Sequence, residues 1–290
     1  MSRRLAPYAL LAPFGLLFAA FFLAPIGYAI YQSLTEVKRT GALGLGGEET
    51  VFAGLGNYAD ALGNAQFMDS VWRIVLFTAI EVPVMIVGAT VLALLLDSGL
   101  ARWPKAFRAM YFLPYGVPGV IASILWGFLY VPGISPISEV LNKVGIDVDF
   151  LGSGTVLWSL ANIVTWTWAG YNMLIVVAQL QAVPHEIYES ARVDGASRLQ
   201  IAWRIKLPLV RPAIVLTTVF TIIGSLQLFA EPLILRVLTG NIDRHYTPNF
   251  SAYTEAFQNN NQSLAAAEAV LLALVACALS FGFLRVVGRR

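Results

Sequence analysis

The sequence predicts an all-α integral membrane protein with six transmembrane helices. Its 290 residues are 58% hydrophobic and only 12% charged, and the mean hydropathy is +0.70. A soluble domain of this size carries about twice that fraction of charged residues. A single soluble core could not bury so much apolar surface, so we expect lipid to surround most of the chain.

Each predicted span is a run of about 20 or more mostly apolar residues, the length that crosses the hydrocarbon core of a bilayer. The first run is too long for the apolar region of a typical signal peptide, so we interpret it as a retained helix. We treat residues 1–290 as a single transmembrane domain. The six runs cover residues 8–34, 71–96, 107–131, 155–180, 211–236 and 264–285.

The positions of Lys and Arg predict the orientation of these spans, because cytoplasmic segments carry an excess of both. If the N-terminus is cytoplasmic, thirteen of the 19 basic residues lie in cytoplasmic segments. Six spans then place the C-terminus and residues 184–208 in the cytoplasm as well. Residues 35–70 lie outside, and their Gly-rich stretch "RTGALGLGGEET" predicts a flexible connection.

Several function classes are excluded by residues that the chain lacks. Cys277 is the single cysteine, and His185 and His245 are isolated, so neither a disulfide framework nor a metal site is expected. No Gly-rich loop ends in Gly-Lys-Ser/Thr, which excludes a phosphate-binding loop of that type. The basic residues do not form a patch with aromatic residues, which argues against nucleic acid. We therefore expect no catalytic residues and no cofactor on this chain.

Proline and glycine interrupt the third predicted span. Pro114 and Pro118 alternate there with Gly116 and Gly119 in "FLPYGVPGV". Small residues permit close helix packing in membranes. Alternatively, proline produces a bend whose freed carbonyl is satisfied beside a pathway. The residues alone leave both interpretations open.

The segment between spans four and five is unusually polar. "HEIYESARVDGASRLQIAWRIKLP" holds three acids and four bases in 24 residues. It predicts a short helix over 185–192, a turn in which Gly195 takes positive φ, and a second helix from Ser197. We expect Pro208 and Pro212 to end that helix before span five. Such a helix pair is suited either to an anionic lipid surface or to a soluble partner.

The spacing of this segment resembles the EAA loop in the permease subunits of bacterial ABC importers. That loop reads Glu-Ala-Ala, three residues, Gly, nine residues, Ile-x-Leu-Pro. The resemblance implies a helix–turn–helix coupling loop at 184–208 that contacts a separate ATPase, with the first Glu paired to a basic group of that ATPase. The implied coupling residues are Glu189, Ser190, Ala191, Asp194, Gly195, Ala196, Ile205, Leu207 and Pro208.

Other segments extend the resemblance over nearly the whole chain. "FAGLGNY" after span one, "YFLPYGVPGVIASILWGFLY" in span three and "SLQLFAEPLIL" in span five resemble the carbohydrate branch of these permeases. They are most similar to the first permease subunit of maltose-transporter type. One departure is "LTGNIDRHYTPN", which keeps Thr239 and Gly240 but lacks the Gly-Pro that often follows in the family.

The resemblance implies a type I importer in the bacterial plasma membrane. Its expected partners are a second permease subunit, two ATP-binding subunits that hold ATP and Mg²⁺, and an extracytoplasmic sugar-binding protein. The expected pathway groups are hydroxyls, amides and aromatic rings in spans four and five, where polar groups are otherwise costly. These candidates are Trp168, Tyr171, Asn172, Thr221, Ser225 and Gln227.

Two alternatives stay open. The first is an ABC importer permease for a non-sugar solute such as an amino acid, a peptide or glycerol phosphate. The second is an ion-coupled secondary transporter, which the acids Glu81, Glu231 and Glu268 in or near spans suggest. No internal repeat typical of secondary transporters is visible. We interpret Glu268 as a solvated residue near the outer end of span six.

Overall fold

The computed structural model describes residues 6–39, 47–99 and 102–287. Within these ranges, five helices are long and apolar enough to cross a membrane, and a bent pair makes six if it is counted as one span. This confirms the predicted helical membrane fold. The five helices are Leu10–Ser33, Ala65–Asp97, Val156–Gln181, Arg198–Leu235 and Gln262–Val287.

The elements follow in a simple order along the chain. Two π-helical segments, Ala19–Leu23 and Ala202–Lys206, and one 3₁₀ turn, Leu113–Gly116, lie between α-helices. The strands are β1 (Thr35–Arg39) and β2 (Glu48–Phe52). The α-helices are α1 (Ala6–Phe18), α2 (Ala24–Ser33), α3 (Gly56–Gly63), α4 (Ala65–Asp97), α5 (Pro104–Phe112), α6 (Gly119–Tyr130), α7 (Pro136–Lys143), α8 (Val156–Gln181), α9 (His185–Val193), α10 (Arg198–Ile201), α11 (Leu207–Leu226), α12 (Ala230–Leu235), α13 (Pro248–Phe257) and α14 (Gln262–Val287).

The chain forms two compact units, whose boundaries fall within α4, at the start of α13 and within α14. One unit contains residues 1–71 and 248–275, and the other contains residues 72–247 and 276–290. In the first unit, β1 and β2 form an antiparallel hairpin in the region predicted to be a flexible connection. Most of the Gly-rich stretch itself, residues 40–46, lies outside the described residues.

The "FAGLGNY" segment fixes the end of the first span within this unit. The buried Asn57 amide donates to the carbonyl oxygens of Ser33 and Thr35 at 2.9 and 2.8 Å. The hydroxyls of Ser33 and Tyr58 lie 2.6 Å apart. The motif therefore satisfies backbone groups that the end of a helix leaves unpaired.

Glu268 of α14 is only 1% exposed, so the interpretation of this residue as solvated is wrong.

Both π-helical segments accommodate a proline. The residue after each segment donates its N–H to a carbonyl five positions back, Ala24 to Ala19 and Leu207 to Ala202. Pro25 and Pro208 follow directly. In a regular α-helix a proline ring clashes with the carbonyl four residues earlier, and the wider π turn relieves that crowding. The helix therefore continues through each proline.

In the second unit, α8 packs between several helices. Buried apolar residues of α4, α8 and α11 form a hydrophobic core in this unit: Ala89, Ala93, Leu96, Met173, Val176, Val177, Leu180 and Val210. Gly170 lets α8 approach α5, since a Cβ there would lie 1.8 Å from the Tyr111 carbonyl oxygen. The third predicted span is broken at the prolines, where Pro104–Gly116 and Gly119–Tyr130 meet at 98°. The bend interpretation of "FLPYGVPGV" agrees with this geometry.

Candidate functional site

The elbow of the predicted coupling loop is built by a glycine. Gly195 has φ of +81°, which a residue with a Cβ adopts at a cost. The Gly195 N–H donates to the Arg192 carbonyl, and the Ala196 N–H donates to that of Ala191. This pattern is a Schellman motif, which satisfies the last carbonyls of α9 and reverses the chain.

The next helix starts at a capping box. Ser197 Oγ accepts from the Gln200 N–H at 3.3 Å, and Gln200 Oε1 accepts from the Ser197 N–H at 2.7 Å. The predicted stop at Pro208 and Pro212 is wrong, because α10, the π segment and α11 form one continuous helix. The coupling loop is therefore one short helix and the beginning of a membrane helix.

The exposed face of this loop carries most of the predicted coupling residues. Glu189, Ser190 and Asp194 are exposed, whereas Ala191 and Ala196 are partly buried. Ile205 and Leu207 are partly buried, and Leu207 packs against the core of α4, α8 and α11. Pro208 is exposed, so it does not help to seat the helix against the spans. The exposed surface also includes four large apolar side chains: Ile187, Val193, Leu199 and Trp203.

Lys206 anchors the loop to the end of α4. Its Nζ lies 2.6 Å from Asp97 Oδ2, and the two side chains are 11% and 17% exposed. The ammonium group also lies 5.0 Å from the ring centroid of Tyr188. Burial, with a smaller contribution from the Asp97 charge, raises the pKa of the Tyr188 hydroxyl. The sequence analysis missed this anchor, although a lysine within "RIKLP" is an unusual residue among apolar neighbours.

The second candidate site is a cavity of about 410 Å³ beside α8 and α11. All six residues proposed for the pathway line it, so the structure brings together what the sequence places up to 59 positions apart. Met85 of α4 and Glu231 of α12 also line it, and none of the residues that line it is basic. The role of these residues in transport stays a prediction.

Hydrogen bonds fix part of the cavity wall. Asn172 is 2% exposed, and its Nδ2 lies 3.3 Å from Thr221 Oγ1 and 3.1 Å from Met85 Sδ. Ser225 Oγ donates to Glu81 Oε2 at 2.8 Å. Asn172 and Ser225 are therefore already engaged inside the protein. Gln227 is exposed and lines the cavity, and its side-chain amide makes no hydrogen bond to the other described residues.

Aromatic rings form the other part of the wall. Tyr171 stacks on Tyr115 with ring centroids 4.8 Å apart, and Trp168 meets both rings edge to face at 5.2 and 6.0 Å. Tyr115 comes from the break in the third span, so that bend lies beside the cavity. The sequence analysis did not include Tyr115, although its position within the proline-glycine segment marked it.

The acids that suggested ion coupling have separate environments. Glu231 lines the cavity, whereas Glu81 is 2% exposed and accepts a hydrogen bond from Ser225. Glu81 Oε1 makes no hydrogen bond of normal geometry within the described residues, although Thr165 lies beside the carboxyl group. Among those residues, no group of three or more His, Cys, Asp or Glu side chains is placed to hold a metal ion.

The fold is that of a multi-pass helical membrane subunit, with a cavity beside α8 and α11 and an exposed helical loop between two of its membrane helices. Residues 51–290 match the family described as "Binding-protein-dependent transport system inner membrane component". The chain belongs to this family, and the family-level prediction from the sequence is confirmed.

Relatives of known assignment support the same class. The chain is 31% identical to the sn-glycerol-3-phosphate transport system permease protein UgpA of Agrobacterium fabrum, over 99% of this chain and 96% of that protein. It is 30% identical to the arabinooligosaccharides transport system permease protein AraP of Bacillus subtilis, over 99% and 90% of the two chains.

Solved structures share the fold. A chain of a bacterial ABC transporter that imports the acidic polysaccharide alginate matches with a TM-score of 0.83 and 21% identity, over 99% of this chain and 96% of that one. A chain of the alginate transporter in complex with its pentasaccharide-bound periplasmic protein matches with a TM-score of 0.80 and 22% identity, over 97% and 93%.

Proposed function

We propose that this chain is one of two permease subunits of an ATP-driven importer and forms half of the pathway for a neutral sugar or oligosaccharide. The observation that carries the proposal is the cavity lined by Trp168, Tyr171, Thr221 and Gln227. Aromatic faces bind the apolar faces of sugar rings, and amides and hydroxyls pair with their hydroxyl groups. The relative that imports arabinooligosaccharides supports this substrate class.

The second candidate substrate is sn-glycerol-3-phosphate, which the name of another relative specifies. Phosphate recognition in proteins relies on Arg, Lys or clustered N–H donors. The cavity is lined by Glu231 and by no basic residue. A carboxylate there disfavours a phosphate dianion, so the cavity favours an uncharged solute.

A separate ATPase that binds the coupling loop would supply the energy for transport. An extracytoplasmic binding protein would deliver the solute. ATP and Mg²⁺ would bind that ATPase and not this chain. In this assembly both termini and the coupling loop face the cytoplasm. Closure of the two ATPases would then move each coupling loop and switch the pathway between its inward- and outward-facing forms.

Uptake by proteoliposomes that contain the assembled transporter tests the substrate proposal. We expect Trp168→Ala and Gln227→Leu to raise KM for the transported oligosaccharide by about tenfold, the effect of losing one stacking or hydrogen-bonding contact. Trp158→Ala is the matched control, since Trp158 is equally exposed on α8 but does not line the cavity. If sn-glycerol-3-phosphate inhibits uptake and neutral oligosaccharides do not, the second candidate substrate replaces the first.

The coupling proposal is tested by co-purification. We expect Glu189→Ala to reduce recovery of the ATPase and to abolish uptake, while the chain still inserts into the membrane. Glu186→Ala is the control, because Glu186 is an exposed acid on the same short helix outside the motif positions. Equal ATPase recovery with both variants would contradict the assigned role of Glu189.

A further inference from the structure

A second cavity, with charged residues in its lining, lies against the coupling loop. It has a volume of about 270 Å³ and lies between the end of α4 and the two helices of the loop. Leu94 and Ile201 give it an apolar side, and four charged residues give it a polar one. The full lining is Leu94, Asp97, Ser98, Arg192, Arg198, Ile201, Ala202 and Lys206.

The charges in this cavity do not cancel. Lys206 neutralises Asp97 through their contact of 2.6 Å. Arg192 and Arg198 are not within ion-pair distance of any carboxylate among the described residues, although the same loop carries three acids. Two exposed arginines therefore line the cavity without a carboxylate partner among the described residues. Paired arginines of this kind bind phosphate and carboxylate through several N–H donors at once.

The position of the cavity indicates which anion reaches it. The α4 helix crosses the bilayer by length and composition and ends at Asp97. At this end the apolar run gives way to Asp97 and Ser98, which is the change expected at the level of the lipid headgroups. Basic pockets between helices at this level bind anionic headgroups. The volume equals roughly nine water molecules at liquid density, which is room for a phosphate diester with its adjoining glycerol.

We propose that Arg192 and Arg198 form a site for the phosphate group of an anionic membrane lipid. The bound headgroup bridges the coupling loop and the end of α4 beside the Lys206–Asp97 pair. Inorganic phosphate offers the same chemistry without the acyl chains. The two sources are distinguished by whether binding requires the lipid.

Native mass spectrometry of the full chain in detergent tests the site. The probes are phosphatidylglycerol, phosphatidylcholine and inorganic phosphate. We expect retention of phosphatidylglycerol in preference to phosphatidylcholine, and weaker binding of inorganic phosphate. Each basic residue near an anionic surface contributes about fivefold to binding. The double variant Arg192→Gln/Arg198→Gln is therefore expected to bind phosphatidylglycerol about 25-fold more weakly.

Arg204→Gln is the matched control, because Arg204 is an exposed base of the same loop that does not line the cavity. It is expected to leave the preference for phosphatidylglycerol unchanged. Retention of inorganic phosphate as strong as that of the lipid would support the anion site and assign it to the free ion. Equal retention of both lipids, or an equal loss with Arg204→Gln, would overturn the proposal whether or not the chain transports a sugar.

Discussion

Removal of one partner of the Lys206–Asp97 pair is expected to destabilise the chain strongly. At 2.6 Å and an effective dielectric constant of about 20, the two charges attract by about 6 kcal/mol before desolvation is subtracted. Desolvation offsets much of this, so the intact pair contributes little net stability. Lys206→Met or Asp97→Leu alone leaves a nearly buried charge without its partner, which costs about 3 kcal/mol, the lower end of the range for buried pairs.

A double-mutant cycle measures this energy by unfolding the purified chain in mixed detergent micelles. The variant Lys206→Met/Asp97→Leu is expected to lie within about 1 kcal/mol of the wild type, since two apolar groups replace two charges. Lys143→Met is the control, because Lys143 forms an exposed ion pair with Glu139 that contributes under about 1 kcal/mol. Additive losses in the double variant, or single losses as small as the control, would refute the reasoning.

Three further predictions concern backbone and hydroxyl groups. Gly195→Ala forces a Cβ into the left-handed region, so we expect a loss of about 1–2 kcal/mol in the free energy of unfolding and reduced ATPase recovery. Gly170→Ala drives a Cβ into the Tyr111 carbonyl and is expected to cost about 3 kcal/mol, whereas Gly88→Ala, with open space around it, is neutral in the same unfolding assay. Tyr188→Phe removes a buried hydroxyl that has no hydrogen-bond partner among the described residues, so the melting temperature is expected to stay the same or rise.

Much of the helical framework was predictable because the bilayer constrains it. An apolar run of the required length marks a span whatever the helix packs against. For span four, each predicted end differs from the observed one by one residue. The Asp-Gly turn was equally predictable, since the hydrogen bonds of the turn and of the Ser197 cap join residues no more than five positions apart. Local chemistry of this kind is read directly from the chain.

Features that depend on distant residues, or on local backbone geometry without a sequence signature, were not predictable. Lys206 and Asp97 are 109 positions apart, so nothing near either residue indicates the pair. Pro208 reads as a helix stop because the π turn that accommodates it has no sequence signature. The burial of Glu268 likewise depends on packing beside Ser251 and Glu255 of another helix. Beside the cavity, Tyr115 was missed because its contact with Tyr171 arises only when the third span bends.

In the proposed assembly, the uninterrupted helix from α10 to α11 would act as a lever arm. It runs from Arg198 to Leu226, a length of about 43 Å at 1.5 Å per residue. Thr221, on the cavity wall, lies about 35 Å from the end that begins at the capping box. A tilt of about 5° about that end displaces Thr221 by about 3 Å, nearly the diameter of a water molecule. A small rotation at the loop would thus be amplified along the helix, which continues through Pro208.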